Sequence, residues 1–487
     1  MLKVDKTQLL QFRRLRNIGL DQMKKRMQRY LNQWSLATFF LFISVLGCKN
    51  PVLENLCDPN FPGYFQSILF KILSGDTTNH CSVKLNQVFF PVFSPPPGAY
   101  TEPAFISITS FTPGAIIYIT TDGSLPTTDA TPYTSPSSIW RLSGQRIRAV
   151  ATKPGMENSP VAEAMYSLIP LKTGQTFIYA SGDDGSIGSG FSTNYSGPNP
   201  DPNFPNDHTT FDQSKGILWK SCSEGLEGVN CSINNPGVVA TGITTFTTSC
   251  SSLNAANSGK GYAGKTSWRL PTMRELLTTN DASKTSVTIQ SASAFPATVN
   301  FAYWASTQYS PNLGYAWYLD YSNSNSYATF NTNSYYGRCV ASLPPIETFS
   351  FVDNKDGTIR DNVTALTWQK CTYGQNNDAT CSGAAIAIDW SSAITYCSSL
   401  SLGSKSWRLP NRNELISLYD YTKSTGPTID QTNFPNTIAT VAGYYWTSTT
   451  NASGTSSAWY VNFTTTLNNI FDVNAKTNSL FVRCVAN

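Results

Sequence analysis

The sequence predicts a multidomain, β-rich chain: an all-β sandwich followed by two homologous α+β domains in tandem. Three observations carry that expectation. First, Ser267-Trp268-Arg269-Leu270-Pro271 returns as Ser406-Trp407-Arg408-Leu409-Pro410, and further anchors keep step with it. Glu275-Leu276 matches Glu414-Leu415, Phe295-Pro296 matches Phe434-Pro435, and Tyr303-Trp304 matches Tyr445-Trp446. Ala316-Trp317-Tyr318 matches Ala458-Trp459-Tyr460, and Arg338-Cys339-Val340 matches Arg483-Cys484-Val485. The period is too long for a solenoid unit, so each copy reads as a globular domain. Second, residues 104–109, 115–121, 145–152 and 161–168 read as short strands, with turns at Pro113-Gly114, Asp122-Gly123 and Pro154-Gly155. That spacing suits a β-sandwich. Third, charged residues are only 13% of the 487, and Ser, Thr, Asn and Gly are abundant in the C-terminal two-thirds. Such a composition fits an exported protein with long polar loops.

Residues 1–29 are basic, residues 35–47 are apolar and uncharged, and Cys48 follows. That is the layout of a signal peptide, and the apolar run falls short of the roughly 20 residues that span a bilayer. Val45-Leu46-Gly47-Cys48 resembles a bacterial lipobox, which implies that Cys48 is lipidated and anchors the mature chain. The alternative is an uncleaved anchor with an ordinary thiol at Cys48; Met23 and Met27 are alternative starts. Residues 1–47 hold nine basic and two acidic residues, so the chain's 34 and 30 leave 25 and 28, a net of −3. A near-neutral remainder without basic runs argues against nucleic acid as a partner.

Lipidation of Cys48 would leave ten of the 11 cysteines to pair. Cys57 and Cys81 are expected partners by proximity. The other eight fall alike in the two repeats, and the expected bonds are Cys222 with Cys231, Cys250 with Cys339, Cys371 with Cys381, and Cys397 with Cys484. The pattern fits an oxidising compartment. Each long loop so closed should stabilise by roughly 4 kcal/mol in the chain-entropy model. Zinc is disfavoured, because there is no C-x-x-C and the histidines are only His80 and His208.

Residues 48–88 read as a lipidated stalk, with helical periodicity at 65–73. In residues 89–169, Tyr118-Ile119-Thr120-Thr121-Asp122-Gly123-Ser124-Leu125-Pro126-Thr127 resembles the signature of the chitobiase/β-hexosaminidase C-terminal-type domain. The resemblance implies an immunoglobulin-like spacer that is accessory, with Asp122-Gly123 a turn.

The first repeat spans 171–343 and opens with residues 172–176 and Asp183-Asp184-Gly185. The second spans 346–487. Its 351–368 run reads as a hairpin turning at Lys355-Asp356-Gly357, with a shorter counterpart at 211–219. Trp390, Ala393, Ile394 and Cys397 share one helical face, whereas 246–250 (FTTSC) is a poor helix. Pro271 and Pro410 suit the first turn of a second helix. Residues 459–463 and 481–485 alternate as antiparallel strands. These anchors resemble the Lcl C-terminal-like domain over most of 171–487. The resemblance implies a C-type-lectin-like α+β fold, akin to the formylglycine-generating-enzyme fold.

No catalytic constellation is assigned. His80 and His208 lie near no nucleophile motif, and each cysteine of the repeats has an expected partner. Glu275 and Glu414 occupy one position in two domains, so they are expected to hold a helix N-terminus or pair with Arg269 or Arg408 rather than to flank one bond. Asp353-Asn354-Lys355-Asp356-Gly357 looks like a calcium loop, but a lysine holds the third position and no glutamate the twelfth. Asp183-Asp184 reads as a turn before it reads as a ligand pair. Neither metal nor cofactor is expected. Trp304, Trp317, Trp446 and Trp459, with the tyrosines beside them (Tyr303, Tyr318, Tyr335, Tyr336, Tyr444, Tyr445 and Tyr460), could stack on sugars or protein ligands, but the tryptophans recur at matched positions and most read as core. Loops 309–313 and 451–457 differ between copies and are where binding is expected.

The expected function is that of a surface-exposed, non-catalytic lipoprotein in the outer membrane. It would hold the membrane through Cys48 and bind a host or envelope glycan or a matrix protein. The alternative is a structural envelope or periplasmic scaffold without a soluble ligand. An accessory carbohydrate-processing enzyme is disfavoured.

Overall fold

The computed structural model describes residues 87–100, 106–120, 124–133, 146–234, 240–341, 349–439, 443–465 and 468–487. The signal peptide, Cys48, the stalk with Cys57, His80 and Cys81, and the Asp122-Gly123 turn lie outside the described residues. Among the described residues no helix is long and apolar enough to cross a membrane.

From residue 87 to 168 two sheets face each other. Val92–Ser94 pairs with Ser107–Thr109 in one. The other runs in the order Gly98–Tyr100, Ala162–Leu168, Arg146–Thr152, Ile116–Thr120, Thr131–Pro132. Alternate residues point inward, as a strand's period of two requires. Ile147, Ala149 and Ala151 meet Phe93 and Ile108 across a buried interior with Ile117 and Tyr166. The four strands read from sequence all form. The three missed ones are two or three residues long, too short to show a period.

Each repeat builds one sheet around its closing strand. In the first, Val340–Ala341 lies between Trp268–Arg269 and Ile217–Lys220, which continues to His208–Asp212 and Tyr195–Pro200. In the second, Val485–Ala486 pairs with Thr367–Gln369, then Thr358–Asp361 and Phe351–Asp353, and Arg408 bridges to Val485. The 351–368 run is therefore three strands, because a second turn follows Asp361. Arg338 and Arg483 are fully buried beside the closing strands. Arg338 donates to the Ser221 carbonyl and to Thr298 Oγ1 at 2.8 Å, above the Phe295 ring. Arg483 donates to the Lys370 carbonyl and to Thr437 Oγ1 at 2.9 Å, above Phe434. That shared role explains why the Phe-Pro and Arg-Cys-Val anchors recur together.

The disulfide-bearing helices are Ile243–Ser252 and Trp390–Ser399. The first corrects the expectation of a poor helix at 246–250. Phe246 and Cys250, four apart, bury one face, and the bond to Cys339 holds it there. The second helices, Met273–Leu277 and Arg412–Ile416, also differ from expectation. Their N-caps are Thr272 and Asn411, each in a reciprocal capping box with Glu275 or Glu414, so Pro271 and Pro410 precede the cap instead of entering the first turn.

The repeats are adjacent in sequence but fused in packing. The first contributes Ala302–Gln308, Tyr315–Asp320 and Ser326–Phe330; the second contributes Asn469–Ala475, Ser457–Asn462 and Tyr444–Thr450. In that order they make one six-stranded sheet, joined edge to edge at Ser326↔Phe471. Each edge strand covers the other, which removes two exposed edges. Beneath the sheet a single core runs from Trp219, Phe295 and Trp317 to Trp368, Phe434 and Trp459.

Candidate binding face

The face of the joint sheet away from that core carries a register-matched row. Trp304 pairs with Tyr318 and Tyr318 with Tyr327 on the first repeat. Trp446 pairs with Tyr460 and Tyr460 with Asp472 on the second. The halves meet where Tyr327 Oη donates to Asp472 Oδ2 at 3.0 Å. The row thus reads Trp-Tyr-Tyr, then Asp-Tyr-Trp. Its ends are covered, since Trp304 and Trp446 pack under the two disulfide-tied helices and are 0% exposed. Trp304 Nε1 donates to the Thr241 carbonyl at 2.9 Å and Trp446 Nε1 to the Ile388 carbonyl at 3.0 Å.

The middle is different. Tyr318, Tyr327 and Asp472 are only half-buried. Tyr318 lies 4.6 Å from the Tyr335 ring and 6.0 Å from Tyr327, and Tyr444 lies 4.5 Å from Tyr460. Burial pushes the phenols of Tyr318, Tyr327 and Tyr460 up, and the carboxylates of Asp320 and Asp472 add to it. They stay protonated and able to donate. Asn325 Nδ2 reaches both Tyr327 Oη at 2.8 Å and Asp472 Oδ1 at 3.3 Å.

The opening segment of the first repeat does not pack where its sequence position suggests. It reaches across to the second repeat, while the Thr173 carbonyl accepts from Ala282 N of the first at 2.8 Å. Gln175 Oε1 accepts from Thr450 N at 2.7 Å, and Asn413 Nδ2 donates to the Leu171 carbonyl at 3.0 Å. Asp183 caps the short helix Asp184–Ile187 and also accepts from Gln175 Nε2 and Tyr179 N, which makes it a cap as the turn reading expects. Asp184 Oδ2 accepts from Thr173 Oγ1 at 2.5 Å and Thr449 Oγ1 at 2.8 Å. Burial lifts its carboxyl to about 6 despite those bonds. Glu414 is equally enclosed. Burial alone would raise it, but the two-pronged Arg408 pair, at 2.6 and 2.7 Å, and Ser189 hold it below its usual range. Glu275 makes the same pair with Arg269 at 2.7 and 2.8 Å, so both glutamates take the structural role.

The other sequence candidates are placed as follows. Cys222–Cys231, Cys250–Cys339, Cys371–Cys381 and Cys397–Cys484 are bonded. Glu224 stands beside Cys250 and Cys339, but those sulfurs are joined to each other and offer no thiolate. The calcium-like loop is occupied by ammonium groups. Partial burial raises Asp353, yet Lys355 and Lys370 prevail and hold it at about 2. His208 Nδ1 lies 3.0 Å from the Asn206 carbonyl. Trp317 and Trp459 enter the shared core. Loop 309–313 is not a free rim: Tyr309 Oη donates to the Thr465 carbonyl at 2.9 Å and Ser310 Oγ to the Tyr421 carbonyl at 2.8 Å. Loop 451–457 folds back on itself through Asn451, Gly454 and Ser457, and its Ser456 carbonyl accepts from Lys476 N at 2.9 Å. Sequence reasoning missed Tyr327 and Asp472. Each sits on an alternating strand, but alternation does not reveal which edge the strand joins.

Fold and face define a class: a β-sandwich carrying two disulfide-closed repeats fused through one sheet. The chain belongs to the Lcl C-terminal domain family, whose profile it matches twice, over residues 208–341 and 357–486. Residues 95–163 match the chitobiase/beta-hexosaminidase C-terminal domain. No curated protein and no solved structure matches the chain. The opening segment lies outside the family match, in keeping with its packing on the other copy.

Proposed function

We propose that this chain is a lipid-anchored surface protein that binds a glycan or a matrix protein without catalysis. The fused repeats, read as C-type-lectin-like domains, are the binding head, and the sandwich is an immunoglobulin-like spacer. The observation that supports this is the uncovered middle of the aromatic row, half-buried tyrosines on a rigid sheet between two disulfide-tied helices. Large aromatic faces left partly wet are typical of recognition surfaces. Cys48 would hold the chain to the outer membrane, and Asp353 with its two lysines argues for calcium-independent binding. The purified full chain should bind saturably to an array of glycans and matrix proteins, equally with and without EDTA. Protease added to intact cells should remove the head. A folded chain that binds nothing and resists shaving would instead be an envelope scaffold.

A further inference from the structure

We infer that the middle of the row is a site for the pyranose rings of a neutral glycan, with Tyr318 and Tyr327 as stacking faces and Asp472 as the hydroxyl acceptor. This rests on reading the outer sheet face as the ligand-binding face, and it names what that face takes. A pyranose has a C–H face that packs on an aromatic ring and an edge of hydroxyls that needs donors and acceptors. The row offers both in one line. Tyr318 and Tyr327 are adjacent in register. The Tyr327 phenol and the Asn325 carboxamide lie beside the Asp472 carboxylate. Tyr327 Oη, Asn325 Nδ2 and Val473 N take three of that carboxylate's roughly four acceptor positions, so one remains for a ligand hydroxyl.

The charges select against other ligands. Asp320 flanks Tyr318 and Asp472 flanks Tyr327 and Tyr460, a field that repels sulfated polymers. A quaternary-ammonium ligand is best held by rings converging on one point. This molecule builds such a sandwich elsewhere, around Arg412, 4.9 Å from the Trp459 ring and 5.0 Å from Phe471. In the row the rings follow one another instead: Trp304 stands at 84° to Tyr318, and Tyr327 is tilted 39° from it. A line of tilted rings fits successive sugars. Because Tyr327 faces Asp472 and not a second tyrosine, the site has a direction along the row although the two halves are repeats.

The test titrates the full chain by calorimetry with neutral β-linked hexasaccharides of glucose, galactose and N-acetylglucosamine, and with heparin, poly-L-lysine and fibronectin. At least one neutral hexasaccharide should bind, more tightly than heparin or poly-L-lysine. Tyr318→Ala should weaken it about tenfold, the worth of one stacked ring. Asp472→Asn should weaken it about threefold to tenfold by making the acceptor neutral. Should Tyr318→Ala fail to fold, Asp472→Asn and Tyr327→Phe, which keep the packing, decide the matter. Preference for heparin or poly-L-lysine would overturn the inference, as would unchanged hexasaccharide binding in folded variants. Fibronectin binding lost in Tyr318→Ala, with no hexasaccharide bound, would sink the glycan and keep the face as a binding face. No binding to any probe would sink both.

Discussion

In the first repeat the disulfide-bearing helix sets Phe246 against Gly337; in the second, Ala393 stands in the phenylalanine's place and Val482 in the glycine's. The positions correspond, four before the helix cysteine and one before the buried arginine. A Cβ on Gly337 would stand 2.5 Å from the Phe246 ring. Large against nothing in one copy, small against medium in the other: the two fillings occupy the same gap. A similar exchange sets Glu224 and Ser249 in the first copy, where the second has Tyr373 and Tyr396. The frame is therefore kept by pairs, not by single residues. Phe246→Ala should cost about 3–5 kcal/mol of stability. Gly337→Val alone should also destabilise, because the ring blocks it. The double variant should recover at least about 1 kcal/mol over Phe246→Ala, a coupling that urea denaturation of the four chains measures. Strict additivity would break the equivalence of the two pairs.

A second difference lies at the start of the short capped helices. Met273 begins one and Arg412 the other, and both are fully buried. Arg412 reaches Asn280 Oδ1 of the first repeat at 2.5 Å, and Asp281 and Asp184 are the acids whose charge it feels. Both acids come to the second repeat's helix from outside it, Asp184 from the opening segment and Asp281 from the first repeat. Asp184 holds its proton up to about 6 in the folded chain, against 3.8 when exposed. Between those values the native state keeps a proton that the unfolded chain has lost. Stability should therefore fall as pH rises from about 4 to 6, by on the order of 2–3 kcal/mol, and level off above. Glu414 works oppositely: held low by Arg408, its contribution is present above about 4.5 and lost as pH falls. Asp212 also rises to about 6 in the first repeat, so the useful quantity is a difference. Melting curves of Asp184→Asn, whose amide oxygen can still accept from Thr173 and Thr449, should show a shallower slope between pH 4 and 6 than those of the unaltered chain. An unchanged slope would assign it to the other carboxyls that burial raises, Asp212 and Asp361, instead.

What could be seen in the sequence was whatever recurs. Identical residues at identical offsets gave the repeat frame, the four bonded cysteine pairs and the Arg–Glu ion pairs, because each is a local arrangement closed within one copy. What could not be seen is how the copies face each other. Tyr327 and Asp472 sit on edge strands whose period names a buried face but no partner. Nor does the run Gln175 to Asp184 say that Thr449 and Thr450, far along the chain, will receive it. Helix 243–252 failed as a reading for a different reason. Its Thr and Ser favour caps and turns over helix interiors, and only the buried Phe246 and the Cys250 bond outweigh that.

The smallest difference concerns how those two helices begin. Asp389 caps Trp390–Ser399 through Ser392 N, whereas Gly242 caps Ile243–Ser252 with no side chain at all. Both starts are otherwise alike: Ile243 N donates to the Asn331 carbonyl and Trp390 N to the Lys476 carbonyl, each at 3.0 Å. The glycine has a local cause. A Cβ there would come 3.0 Å from the Asn331 oxygen and 3.4 Å from the Thr332 Cα. Asp389→Ala should then cost about 1 kcal/mol, and Asp389→Gly only a few tenths. Gly242→Asp should gain less than Asp389→Ala loses, because the new cap must push against that carbonyl. Chemical denaturation of the three variants checks it. A gain at Gly242 as large as the loss at Asp389 would mean that the turn yields freely, and that the uncapped start is not imposed by its neighbour.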